Sequence, residues 1–307
     1  MHLGTPGPLA PSAAPELRLV HSLDEYAACV QLQKETWGAH FNEVVPATIL
    51  KITNRVGGIV AGAFLEDRLV AFVYGITGIE RGSLVHWSHM LAVRPAVRDL
   101  GIGRQLKEFQ RDILARRGVE TILWSFDPLV ARNAHLNLNR LGVRVDEYVI
   151  DMYPATASDL HAFGTDRFVV AWEIAGAADG GAPSPSPSPS PPGTEGADGT
   201  SPSSLSPSSV YKAECEAENE TGSGLGAESC EPGALPARVA IEIPEDFEAV
   251  AAASAADARA WRIATRRAFT TWLGRGYSVT GFCRDVAGRC WYTLAAPARP
   301  GETGRTH

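Results

Sequence analysis

The chain has 307 residues, 45% of them hydrophobic and 21% charged, with a formal net charge of −7. No apolar run approaches the roughly 18–20 residues that cross a bilayer, which argues against a membrane protein. Five scattered cysteines (Cys29, Cys215, Cys230, Cys283, Cys290) are too few for a disulfide framework and fit a reduced cytoplasm. The charge is uneven: residues 1–175 carry 17 Lys/Arg against 19 Asp/Glu, residues 176–236 one against nine, and residues 237–307 ten against seven. The acidity therefore belongs to the middle stretch, and neither flank has the basic field that nucleic-acid binding requires.

Residues 1–15 hold no Lys or Arg and no apolar core of a secretory signal, and read as a disordered leader. Leu17 to Val20 reads as the first strand. Ser22-Leu23-Asp24-Glu25 has the form of a capping box, opening a helix to about Trp37. Pro46 suits the start of a second helix, which ends before Gly57-Gly58. Ile59–Leu65, Leu69–Thr77 and Leu84–Val93 are β-rich runs joined by short polar turns, the pattern of an antiparallel meander. After the turn Arg98-Asp99-Leu100-Gly101-Ile102-Gly103-Arg104 comes an amphipathic helix. Leu106, Phe109, Ile113 and Leu114 lie on one face, with Arg104, Lys107, Arg111, Arg116 and Arg117 mostly on the other. Glu120–Phe126 is a further strand, and the order strand, helix, strand predicts a parallel βαβ unit. Asp127-Pro128 breaks it. Ala131–Leu141 reads as a helix closed by Gly142, and Tyr148–Tyr153 and Phe168–Ile174 as strands.

Residues 176–236, Pro-Ser alternation followed by Gly, Ser and Glu, offer too little apolar area to offset ordering entropy and read as a disordered linker or insertion. Beyond it, Val239–Ile243 predicts a strand, Ala249–Leu273 a helix with a break, and Tyr277–Cys283 with Trp291–Leu294 a strand pair. About 60 residues is marginal for independent folding. Residues 237–296 are therefore expected to pack on the domain at 16–175, with 297–307 a disordered tail. The expected fold class is α/β (α+β), a mixed antiparallel and parallel central sheet flanked by helices, carrying a C-terminal extension.

The chemistry gathers around the glycine turn. A strand feeding Gly101-x-Gly103 into a helix N-terminus brings unpaired backbone N–H groups and the positive end of the helix dipole to one point, which suits a phosphate. A dinucleotide-binding turn would need a third glycine, and a P-loop would need Lys and Ser/Thr where Arg104 and Gln105 stand. His86 and His89 on the preceding strand are candidate bases. Their odd spacing puts them on opposite faces unless a bulge intervenes. Asp127, at a strand's C-terminal end, suits ammonium binding, a base, or a helix cap. Asn133 and Asn137 share a helix face. Cys283 and Cys290 lack a third ligand nearby, so no metal is expected.

The signature Val93…Arg98-x-x-Gly101-x-Gly103, set between a strand and a helix, resembles the acyl-CoA-binding motif of the GNAT N-acyltransferase superfamily. The element order from Leu17 to Ile174 is similar to that family's. The runs Ser88–Val93, Gly101–Lys107, Trp124–Leu129 and Asn133–Gly142 resemble a less-characterised subgroup of it. The resemblance implies that backbone amides from Arg98 through Leu100, Gly101, Ile102 and Gly103 to Arg104 hold the CoA pyrophosphate. It implies that Leu91, Ala92 and Val93 pair with the pantetheine arm where their strand splays from its parallel neighbour, and that Asn133 contacts CoA. An amine would then attack the thioester directly, with His89 or Asp127 as base, donors for the thioester oxygen, and an acid for the thiolate. The family's usual Tyr acid falls at Leu138. Tyr148, Tyr153 or unaided departure of a thiol with a pKa of about 8–9 are the alternatives.

The expected function is transfer of an acetyl or succinyl group, from acetyl-CoA or another acyl-CoA, to a primary amine of a small molecule such as an amino acid. The expected setting is a cytoplasmic homodimer without a metal. A non-catalytic acyl-CoA-binding module and a protein lysine acetyltransferase are the alternatives. The loop from Trp37 to Pro46 and Arg259, Arg262, Arg266 and Arg267 are candidates to recognise a carboxylated acceptor.

Overall fold

The structure is a computed structural model that describes residues 14–38, 41–154, 162–175, 211–214 (backbone only) and 235–297. These residues divide into two compact units. The first takes residues up to 125 with 154, 162 and 170–175; the second takes 126–153, 163–169, 211–214 and 235–297.

The first unit opens with β1 (Glu16–Leu19), α1 (Leu23–Trp37) and α2 (Ala47–Arg55). The predicted capping box is present: Glu25 N–H donates to Ser22 Oγ, and Ser22 N–H donates to Glu25 Oε2. β2 (Ile59–Leu65), β3 (Arg68–Glu80) and β4 (Ser83–Val93) form the meander, followed by a 3-10 turn (Pro95–Val97), α3 (Ile102–Arg116) and β5 (Thr121–Phe126). Strand order is β1-β2-β3-β4-β5, with the C-terminal half of β7 (Arg167–Glu173) next to β5. All pairs from β1 to β4 are antiparallel, and β4 pairs β5 in parallel, as the strand-helix-strand order requires. A buried core of Val20, Tyr26, Leu32, Leu50, Phe64, Phe72, Tyr74 and Met90 joins α1 and α2 to the meander. Asn54 fixes α2 to that edge: its Nδ2 donates to Val20 O and its Oδ1 accepts from Val60 N–H.

β4 carries the feature that shapes this unit. Its register pairs Gly75 with Ser88 and Tyr74 with Met90, so His89 is an unpaired bulge residue. A bulge changes which face later side chains take. Before it, His86 and Ser88 face α3, where they bond Gln110. After it, Leu91 and Val93 face α3 beside Gly103, and Met90 and Ala92 join the α1/α2 core. Burial alternates without a break along the strand, so its pattern conceals the switch.

In the second unit, β6 (Arg144–Val149) lies beside the N-terminal half of β7. The β6 strand starts and ends earlier than the predicted Tyr148–Tyr153, because Asp151 takes a left-handed turn conformation (φ 48°). The predicted helix at 131–141 is α-helical only over α4 (Ala131–Ala134); it continues as a π-helix (His135–Arg140), with Leu141 N–H bonded to Leu136 O. β8 (Tyr211–Glu214), β9 (Arg238–Ile243), β10 (Ser278–Arg284) and β11 (Cys290–Ala295) form a sheet in the order β10-β11-β9-β8. β8 lies inside the stretch read as a linker, whose remaining residues to 234 fall outside the described residues. The Ala249–Leu273 helix is two helices, α5 (Phe247–Ala253) and α6 (Ala255–Leu273), divided at Ser254, whose side chain caps α6 by accepting from Asp257 N–H. Phe168 stacks edge-to-face on Phe269 and Tyr292 at 4.8 and 5.4 Å, and Tyr292 OH donates to Pro128 O. Residues 238–295 thus share one aromatic core with residues 126–169. Among the described residues no helix is long and apolar enough to cross a membrane.

Gly75 tests the β3–β4 contact. A Cβ there would stand 2.2 Å from His86 Nε2 and 2.6 Å from Trp87 O. Gly75→Ala is expected to cost about 1–3 kcal/mol, the usual penalty of overpacking. Gly78→Ala, where a Cβ meets nothing within 4 Å, is expected to be near neutral. Denaturant midpoints of the two variants check this.

Candidate functional site

The site begins at the N-terminus of α3. Gly101 is the N-cap in a left-handed conformation (φ 75°), a position that glycine takes without steric cost, and no side chain caps the helix. The first bond of the helix runs from Gln105 N–H to Gly101 O, so the amides of Ile102, Gly103 and Arg104 have no partner inside it. Asp99 is also left-handed (φ 66°), so two residues of the Arg98–Gly101 turn take that conformation. Leu100 is exposed, and Arg104 reaches along the helix to Glu108 at 2.8 Å. At Gly103 a Cβ would meet Leu91 and Val93 at 3.5 and 3.7 Å, ordinary contact. Gly103 therefore brings the turn close to β4 while leaving the amides open.

β4 and β5 then part. They pair at Val85↔Thr121, His86↔Ile122 and Trp87↔Leu123 and no further, although β4 runs on to Val93 and β5 to Phe126. Leu91, Ala92 and Val93 thus present an edge toward the fork with no β5 partner. Two parallel strands that separate leave backbone groups free for an extended ligand.

A buried polar chain lies under the fork. Lys107 Nζ donates to Ser88 Oγ at 2.8 Å, and Ser88 Oγ donates to Gln110 Oε1 at 2.8 Å. Gln110 Nε2 meets His86 Nε2 at 3.0 Å, and His86 Nδ1 meets Thr77 Oγ1 at 2.9 Å. Thr77 Oγ1 donates to Gly57 O. That last bond uses the Thr77 proton, so His86 Nδ1 must donate and Nε2 accept, which fixes the neutral tautomer. Burial, reinforced by Lys107 and Arg117, holds the His86 pKa down at about 3. Lys107 is 3% exposed, contrary to the solvent face its helix position suggested. Burial pulls its pKa down to about 7, and its ammonium sits 3.8 Å from the centre of the Trp124 ring. The missed signal was the spacing of Lys107, Gln110 and Leu114, which places them on the buried face. His89 points away from this chain. It is exposed, edge-on to Tyr74 at 5.9 Å, and its partial withdrawal from water lowers its pKa below 6.5. The bulge therefore leaves the two histidines on opposite faces.

The remaining candidates belong to the second unit. Asp127 follows β5 directly. Arg262 donates to both its oxygens at 2.9 and 2.5 Å, and Leu129 N–H donates to Oδ1. Arg266 likewise takes both oxygens of Asp166, which also accepts from Tyr148 OH. Burial and Asp166 push the Tyr148 pKa far up. The buried Arg167 is held more loosely, 3.5 Å from Asp127 and donating to Asp166 O. Burial lowers its pKa, whereas the carboxylates outweigh burial at Arg262. Asn133 is half-buried on α4, with its N–H bonded to Val130 O. Leu138 is half-buried within the π-helix. Among the described residues no three His, Cys, Asp or Glu side chains group as metal ligands.

His86 links the site to stability. In the unfolded chain it ionises near 6.5, and in the folded chain near 3. Below 6.5 the unfolded state binds the extra proton, so the stability present above that pH is lost as pH falls toward 3. His86→Gln is expected to flatten the stability profile between pH 6.5 and about 4 by up to one proton, about 1.4 kcal/mol per pH unit. Urea denaturation across that range checks it.

A family model described as "Acetyltransferase (GNAT) family" matches residues 26–140. Among solved structures, the chain is similar to the ribosomal-protein-S18-alanine N-acetyltransferase from Escherichia coli (18% identity, 52% of this chain and 94% of that one, TM-score 0.42). It is also similar to yncA, a putative acetyltransferase from Salmonella typhimurium with its cofactor acetyl-CoA (15%, 53% and 96%, 0.43), and to Arabidopsis thaliana Naa50 in complex with a bisubstrate analogue (14%, 52% and 99%, 0.42). A search of curated proteins finds no match. Residues 26–140 of the chain thus form a domain that matches the GNAT acetyltransferase family.

Proposed function

We propose that this enzyme moves an acetyl or succinyl group from CoA to a primary amine of a small, carboxylate-bearing molecule such as an amino acid. The β4–β5 fork carries this reading: it opens at Ser88, and the α3 amides stand open beside Leu91 and Val93. In this reading Arg98–Arg104 hold the pyrophosphate, Leu91–Val93 pair with the pantetheine, and Asn133 adds a CoA contact. His89 is the base. Partial burial lowers its pKa and so favours the neutral form that takes the ammonium's proton, while its exposed edge leaves it within reach of an acceptor. Asp127, with both oxygens engaged, anchors Arg262 and Arg167. Arg262 and Arg266 are occupied by carboxylates, which leaves Arg259 and Arg267 of the four α6 arginines as candidates to recognise a carboxylated acceptor. Residues 16–175 act as the catalytic domain, completed by the core that 237–296 share with residues 126–169. Among the described residues, Cys29, Cys283 and Cys290 are free and buried, which suits the reduced cytoplasm.

Leu138 favours a second reading, a module that binds acyl-CoA without turning it over. Thiol release from acetyl-CoA and succinyl-CoA, measured with and without a panel of amines and with products identified by mass spectrometry, separates the two. Binding without amine-dependent release would overturn the enzyme reading. His89→Gln is expected to lower kcat about 100-fold, the scale of general-base assistance, with CoA affinity unchanged. Gly103→Glu is expected to abolish CoA binding by setting a carboxylate against the phosphates. Gly103→Ala, whose Cβ fits, is expected to retain it, and calorimetry with CoA reads both.

A further inference from the structure

A lysine inside a protein is costly, and the cost is ordinarily met by a carboxylate. Lys107 has none within ion-pair distance among the described residues. Its described partners are the Ser88 hydroxyl at 2.8 Å and the face of Trp124 at 3.8 Å. Their positions are specific. The last pair of the β4–β5 ladder is Trp87↔Leu123, so Ser88 and Trp124 are the first residues past it, one on each strand. The Lys107 nitrogen therefore sits at the apex of the fork, on its α3 side. Structure alone does not require a cation here, since Met would fill the same space against Trp124 and Gln110 already bonds Ser88.

We propose that Lys107, acting through the Ser88 hydroxyl, is the source of the proton that the CoA sulfur takes up as the thioester breaks. The inference rests on the reading of the fork as the acyl-CoA site. The attacking amine forms the C–N bond, the C–S bond breaks, and sulfur keeps its electron pair. Ser88 Oγ turns its proton from Gln110 Oε1 to sulfur while Lys107 Nζ gives one to Ser88 Oγ, so the net change is ammonium to amine at Lys107 and thiolate to thiol at CoA. The proton shed by the attacking nitrogen goes to the base and then to water, and Lys107 recovers its proton from water once CoA leaves. This assigns the acid that Leu138 cannot supply. The charged and titratable groups around Lys107 do not compete for the role. From β4, His86 is neutral and joined through Gln110. From α3 itself, Arg111 lies over Trp172, and Arg117 bonds Gly57 O and Gly58 O. β5 brings Trp124, β3 brings Thr77, and Glu173 of β7 is engaged by Thr121.

The test uses the full chain, acetyl-CoA as donor and a mixture of the protein amino acids as acceptors, with thiol release followed against pH. Lys107→Met removes a buried charge whose pKa falls from 10.5 to about 7 on folding. The lysine burdens the fold as pH drops through that window, so the variant is expected to be at least as stable as the wild type at pH 8. Wild-type kcat should fall as pH rises above about 7. Lys107→Met should lose about 100-fold in kcat, keep its KM for acetyl-CoA, and lose that alkaline fall. Ser88→Ala, which leaves Lys107 in place, should lose as much, and the double variant no more than either. Bound CoA should also ionise at lower pH on the wild type than on Lys107→Met, read from thiolate ultraviolet absorbance without any acceptor. If Lys107→Met or Ser88→Ala binds acetyl-CoA and keeps kcat within about threefold with an unchanged pH profile, the proposal is overturned. If the wild type itself fails to bind acetyl-CoA, the reading of the fork is overturned, and the proposal with it.

Discussion

The first unit depends on the single extra residue in β4. Without the bulge at His89, the strand would keep one face toward α3 along its whole length. Leu91 and Val93 would then turn away from the glycine turn, and the Gly101–Gly103 amides would lose the wall they stand against. With it, His86 and Ser88 enter the polar layer under the fork, Met90 enters the apolar core, and Leu91 and Val93 return to meet Gly103. A bulge costs ladder hydrogen bonds and local twist. Here it lets one strand serve a polar layer and an apolar core in sequence.

The polar layer is a second constraint. Five side chains from β3, β4 and α3 form an unbroken donor-to-acceptor sequence ending on a main-chain carbonyl. In such a network, losing an inner member costs the desolvation of each buried group left unpaired, whereas Lys107, at its end, leaves Ser88 still bonded to Gln110. Gly75 belongs to the same constraint, since only a residue without a Cβ leaves room for the His86 ring. In the second unit, Asp127 and Asp166 each bind an α6 arginine through both oxygens, while Phe168, Phe269 and Tyr292 interlock beside them. Electrostatics and aromatic packing together tie the C-terminal segment to residues 126–169.

Much of this was legible in the residues. The Ser22/Glu25 box, the meander, the βαβ step, the glycine turn and the final strand pair all rest on local chemistry: capping, alternation, turn residues and the short reach of chain connections. Where the reading went astray, the deciding force was not local. The helix at 131 widens into a π-helix at His135, and the β8 strand takes an edge of a sheet whose other members lie beyond the linker.

The chain by itself pointed to a phosphate-binding turn, because such a turn is built from backbone amides and needs only glycine at the right offsets to open it. It also marked His89 and Asp127 as ionisable candidates. Tertiary structure decided what each of them does. Asp127 meets Arg262, which lies 135 positions away in sequence, and its charge is spoken for. His89 is the exposed histidine, left without a β3 partner by the bulge. Lys107, placed by helical spacing among surface cations, was drawn inside because Ser88 and Trp124 flank the point where two strands separate. No pattern along the chain records that separation, since it is a property of two strands at once.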